Sequence, residues 1–81
     1  MTIVEYTESL VKSIVNNKDM VKVQLFESEE EDPIVEIIVH SDDMGLVIGK
    51  QGKVASAIRT MIQAYAFLNK MPKVKVNIDS F

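Results

Sequence analysis

The residues of this chain best suited to chemistry lie in one stretch, Leu46-Val47-Ile48-Gly49-Lys50-Gln51-Gly52-Lys53. Two glycines bracket two polar residues, so the backbone can turn sharply and no side chain obstructs an approaching group. The stretch leads into a helical pattern. Amides at a helix start point outward without partners, and with the macrodipole they favour an anion such as a phosphate. Lys50 and Lys53 add two full positive charges at the same place. Val47, Ile48 and Val54 supply apolar surface beside the loop, where a base could lie. A Gly-x-x-Gly between two helices also serves simply as a tight corner with solvated lysines, and the spacing alone does not choose. Other chemistries fail on spacing. Gly45 to Lys50 has three residues between its glycines, where a P-loop needs four, and Gln51 stands where a Mg²⁺-binding Ser or Thr belongs. Gly45, Gly49 and Gly52 do not fit the dinucleotide fingerprint either. His40, Ser41, Asp42 and Asp43 are the residue types of a nucleophilic triad. Neighbours on a strand end and a helix cap cannot converge, however, so His40 is expected to be a surface residue near a helix start.

The elements that must position the loop are legible as hydrophobic periods. Thr2-Ile3-Val4-Glu5 is a capping box, and Ile3, Leu10 and Ile14 with Val4, Val11 and Val15 form an apolar stripe, which predicts a first helix over 2–16. Val21, Val23 and Leu25 alternate with polar neighbours as a strand with one buried face. After the acidic turn Ser28–Pro33, Ile34–His40 is a second strand, and the short connection predicts an antiparallel hairpin. Ser41-Asp42-Asp43 is a helix N-cap cluster. Met44–Ile48 has room for only a turn or two. Lys53–Leu68 resumes at helical period, with Val54, Ile58, Met61, Tyr65 and Leu68 on the expected core stripe. Asn69–Pro72 ends that helix, and Val74, Val76 and Ile78 alternate in a third strand. The order is α-β-β-α-α-β, an α+β arrangement of helices on a three-stranded sheet.

Composition narrows the function classes. Eighty-one residues make one domain with a small core. No Cys is present, which removes disulfides, zinc–thiolate sites and thiol catalysis, and one His removes multi-histidine metal sites. No cofactor box is found. No apolar run reaches about 18 residues, and Met1–Glu5 is unlike a signal peptide, so no membrane span and a cytoplasmic location are expected. The net charge of −3 hides an asymmetry. Residues 1–43 carry a net −8, whereas 44–78 carry Lys50, Lys53, Arg59, Lys70, Lys73 and Lys75 with no acid. Such asymmetry points to an anionic partner, unless the two halves pair with each other in the fold. Tyr6, Phe26, Tyr65, Phe67 and Phe81 are too scattered for a base-stacking platform.

Val47-Ile48-Gly49-Lys50-Gln51-Gly52 resembles the signature loop of the KH domain, an RNA-binding module whose Gly-x-x-Gly loop clamps four nucleotides. The element order resembles the type II KH arrangement over nearly the whole chain, so residues 1–81 are expected to be a single KH domain. The run Ile48–Lys53 with Ala57-Ile58-Arg59-Thr60, in so short a chain, resembles the small bacterial single-KH proteins of the KhpA family. That resemblance implies a non-enzymatic, cytoplasmic protein that binds single-stranded RNA and acts as an RNA chaperone. It also implies pairing with a larger KhpB-like KH protein and roles in cell elongation, cell shape and cell-wall homeostasis. The RNA site it implies comprises Val47, Ile48, Gly49, Lys50, Gln51, Gly52, Lys53, Val54 and Arg59. Ala55 departs from the pattern, which places a large aliphatic three residues after the second Gly; the groove wall is shallower there. Ala57, Ile62, Ala64 and Phe67 lie off the expected core stripe of the long helix. Met61 and Ile62 are therefore expected at a homodimer patch, unless the first helix covers that face. The competing function is a protein-interaction adaptor that keeps the fold without binding RNA.

Overall fold

The computed structural model describes residues 1–81. Helix α1 (Ile3–Lys12) starts at the predicted capping box: Thr2 Oγ1 accepts from the Glu5 amide at 3.1 Å and Glu5 Oε1 accepts from the Thr2 amide at 2.9 Å. These bonds hold the Glu5 carboxyl below the usual carboxylate range, the Thr2 amide contributing most. The helix stops at Lys12 rather than Asn16. Ser13 Oγ donates to the Leu10 carbonyl at 2.6 Å, a local bond that competes with the helical ladder.

Strands β1 (Lys22–Phe26) and β2 (Ile34–Val39) pair antiparallel as predicted, Val23 opposite Ile37 and Leu25 opposite Val35. Helices α2 (Met44–Ile48) and α3 (Lys53–Leu68) form the crossover to β3 (Lys75–Ser80), which runs parallel to β2 with Val35 opposite Val76 and Ile37 opposite Ile78. A parallel neighbour needs such a helical crossover. The sheet order is β1-β2-β3, so β2 is central and β3 is an edge. Val35, Ile37, Val39 and Val76 turn to one face and build the core with Ile3, Val11, Val15, Val47, Ile58, Ile62 and Ala66.

The inward face of α3 differs from the predicted stripe. Ile58, Ile62 and Ala66 are buried, while Met61 is 44% and Leu68 77% exposed. The reason is α1, which lies against α3 with Tyr6 stacked on Tyr65, ring centroids 4.3 Å apart. Packed against both α1 and the sheet, α3 buries its i, i+4 row instead of a heptad-like seam. The expectation that Ile62 sits at a dimer patch is thereby corrected: the residue has no exposed surface and belongs to the core of the protomer.

Asp43 differs from its predicted role as a helix cap as well. Its side chain makes no bond to α2. It is buried and accepts from the Asn17 amide at 2.9 Å, Asn17 Nδ2 at 3.1 Å and the Asn16 amide at 3.3 Å. It thus ties the end of the α1 segment to the start of α2. These donors, the Asn17 amide first, hold its carboxyl below the ordinary range. His40 is half-buried and its Nδ1 accepts from the Asp42 amide at 3.0 Å, which caps the short 3₁₀ turn at Ser41–Asp43.

Candidate nucleic-acid interface

The loop between α2 and α3 is held in a shape that few sequences can adopt. Gly49 has φ 75° and ψ 175°, a region essentially reserved for glycine. A Cβ built there would lie 2.4 Å from Val54 Cγ2 and 2.9 Å from the Val54 backbone nitrogen. Gly49 is therefore needed twice, for its dihedrals and for the close approach of the α3 start. Gln51 (φ 58°) and Gly52 (φ 74°) are both left-handed, and a Cβ on Gly52 would meet nothing within 4 Å. Gly52 precedes α3 and supplies no side-chain cap. The Lys50 and Gln51 amides have no acceptor within the chain. Free amides at the tip and an uncapped helix start give an anion site with the macrodipole behind it.

Lys50, Gln51 and Lys53 are exposed at this tip. No ion pair engages any of the six cations between residues 44 and 78; the ion pair of the chain, Lys12–Glu8 at 2.9 Å, lies outside that stretch. The alternative in which the acidic and basic halves neutralise each other does not occur. The acidic turn sits by the start of β3, where the Lys75 amide donates to the Pro33 carbonyl at 2.8 Å. The loop stands beyond the opposite end of α3, whose 16 residues span about 24 Å at 1.5 Å per residue.

Beside the loop runs a groove of about 460 Å³, lined by Ile48 of α2, Ala55 and Arg59 of α3, Glu36 of β2, and Val76, Asn77, Ile78 and Asp79 of β3. The Lys75 and Phe81 amides donate to carbonyls beside and in β2, so the odd-numbered residues of β3 face that neighbour. Val76 and Ile78 consequently turn their backbone N–H and C=O groups to the free edge, along the groove.

The structure thus brings together Ile48, Gly49, Lys50, Gln51, Gly52, Lys53 and Arg59, with Val54 half-buried beneath Gly49. It does not bring Val47 to the surface. Val47 is fully buried in the core, because the short α2 can turn only one side to solvent and Ile48 takes it; the expectation that Val47 offers contact surface is corrected. Sequence reasoning missed the far wall: Glu36, Asn77 and Asp79. The one signal for them was the alternation of β3. It does not reveal that β3 is an edge strand lying along the groove.

A Gly-x-x-Gly loop joining two helices, packed with a third helix on a three-stranded mixed sheet, defines a KH-type fold. The chain matches the family described as KhpA/KhpB, KH domain, over residues 4–78, and it belongs to that family. It is 41% identical over 66 residues to the RNA-binding protein KhpA of Caldanaerobacter subterraneus, covering 82% of this chain and 87% of that one. It is 43% identical over 74 residues to the RNA-binding protein KhpA of Clostridium perfringens, covering 91% of this chain and 96% of that one. In three dimensions it resembles Era in a crystal structure with MgGDPNP and a segment of 16S ribosomal RNA, at TM-score 0.72 and 14% identity. That likeness covers 98% of this chain and 30% of Era, and concerns the fold.

Proposed function

We propose that this chain, as a single KH domain, binds single-stranded RNA, with phosphates on the Gly49–Gly52 loop and Lys53 and with bases in the adjoining groove. The observation that carries the reading is the loop itself. It leaves the Lys50 and Gln51 amides free and surrounds them with unpaired cations. The names of the KhpA relatives support the same reading. The test is the double variant Lys50→Asp, Gln51→Asp. Both side chains are exposed and Asp tolerates the left-handed region, so stability should change by less than ~0.5 kcal/mol. Filter binding to short single-stranded RNA should be lost. A folded double variant with unchanged affinity overturns the reading in favour of a protein adaptor.

The finer reading is a cytoplasmic RNA chaperone that acts with a KhpB-like KH protein in cell elongation, cell shape and cell-wall homeostasis, without catalysis of its own. No helix is long and apolar enough to cross a membrane. Self-association belongs to this reading, since two weak sites held together gain avidity. Met61 remains a candidate at such a patch. Met61→Asp should leave the circular dichroism intact and yield a monomer in sedimentation at tens of micromolar. Ile62→Asp buries a charge in the core and should unfold the chain instead. A wild-type chain already monomeric at that concentration overturns self-association.

A further inference from the structure

Three charged side chains line the groove, Arg59 from the helical wall and Glu36 and Asp79 from the sheet, and none of them makes an ion pair. Asp79 Oδ1 accepts from the Ser80 amide at 2.8 Å, which leaves Oδ2 without a partner in the chain. The Glu36 side chain makes no hydrogen bond, and the residue is half-buried. Two carboxylates against one guanidinium give the groove itself a net negative charge, whereas the loop with Lys50 and Lys53 is positive. A phosphodiester backbone is repelled from the first region and drawn to the second. A strand bound here therefore lays its phosphates on the cations of the loop and the helical wall, Lys50, Lys53 and Arg59, and turns its base edges toward Glu36 and Asp79 on the sheet.

An ionised carboxylate accepts hydrogen bonds and donates none. Cytosine and adenine present exocyclic amino groups, and guanine presents an amino and an imino donor. The Watson–Crick edge of uracil places a single N–H between two carbonyl oxygens, and those oxygens meet the carboxylates lone pair to lone pair. We propose that Glu36 and Asp79 are specificity-determining residues that make the groove select amino-bearing bases and disfavour uridine. The inference rests on the RNA-binding reading above and adds to it the class of base.

The experiment measures binding of labelled hexacytidylate, hexaadenylate and hexauridylate by fluorescence anisotropy at one fixed salt concentration. The wild-type chain should bind the first two about tenfold more tightly than the third, within the range known for carboxylate–base pairing. The variants Asp79→Asn and Glu36→Gln keep shape but supply a donor, and the double variant should bring the ratio close to one. Charge removal alone raises affinity for all three oligomers together, so the readout is the ratio and not the absolute affinity. Circular dichroism verifies that the variants fold. Equal wild-type affinity for the three oligomers, or a ratio unmoved in a folded double variant, overturns the inference and leaves RNA binding standing. Failure to bind any of the three overturns the RNA-binding reading itself.

Discussion

The two ends of α3 pose the same backbone problem and solve it differently. Each has a non-glycine residue in the left-handed region, Gln51 before the helix and Lys70 after it, both at φ 58°. Each is flanked by lysines. At the C-terminal end the chain closes on itself: the Met71 amide donates to the Ala66 carbonyl at 2.9 Å and the Lys70 amide to the Phe67 carbonyl at 3.1 Å. This pair of bonds is the Schellman arrangement, with Lys at the position glycine usually takes. Orphan carbonyls are satisfied there, and nothing is left for a ligand. At the N-terminal end the Lys50 and Gln51 amides stay free, Gly52 caps nothing, and Gly49 adopts a conformation open only to glycine. The contrast separates a helix end that is structural from one built to present backbone donors. It also splits the cationic half into two groups: Lys50 and Lys53 at open amides, Lys70 and Lys73 at and after a closed turn.

The largest effect that can break this contrast lies within the loop. Gly49→Ala must adopt a dihedral pair costing up to about 3 kcal/mol and must push back the Val54 backbone as well. Gly52→Ala faces open space and incurs only the left-handed penalty, about 1–2 kcal/mol. A domain of this size is typically stable by roughly 4–12 kcal/mol, so the first change removes much of that and the second a minor part. Urea denaturation of the two variants should show a gap of at least about 2 kcal/mol between them. Equal losses would mean that the close approach of Gly49 to Val54 is not a constraint of the fold.

A smaller effect sharpens the division of the lysines. About three contacts, from Lys50, Lys53 and Arg59, give a log–log salt slope near −2 for a single strand. Lys50→Ala with Lys53→Ala should reduce that slope to about −0.7. Lys70→Ala with Lys73→Ala should leave it unchanged, because those cations stand at the far end of α3. A wild-type slope steeper than about −5 would show that the whole cationic half, Lys70, Lys73 and Lys75 included, lies on the RNA.

How much of this was legible in the sequence follows from the range of the signals. The capping box, the hairpin and the element order are written in residues close to one another, and they hold in three dimensions. The loop was legible for the same reason, since its glycines and lysines are contiguous. The rotation of α3 was not. Whether Met61 or Ile62 turns inward depends on α1 lying against α3, a contact between residues 59 apart in the Tyr6–Tyr65 pair. Asp43 looked like a cap because its three donors lie 26 and 27 residues upstream. The groove's far wall was hidden likewise: Glu36 and Asp79 come together only once β3 pairs parallel to β2.

The smallest effect concerns Lys70 itself. A side chain in the left-handed region costs about 1–2 kcal/mol relative to glycine. Glycine in turn loses more backbone freedom on folding, roughly 0.5–1 kcal/mol. Lys70→Gly should therefore stabilise the protein by about 0.5 kcal/mol, which moves the urea midpoint upward by up to about 0.5 M. The Schellman bonds are made by main-chain atoms and survive the change. RNA affinity should not move, since Lys70 belongs to the closed end. Gln51→Gly faces the same balance of backbone terms, but it loosens the tip on which the proposed phosphate site rests, so its RNA affinity should fall as its stability rises. If Lys70→Gly weakened RNA binding as much as Gln51→Gly, the two ends of α3 would not be functionally distinct.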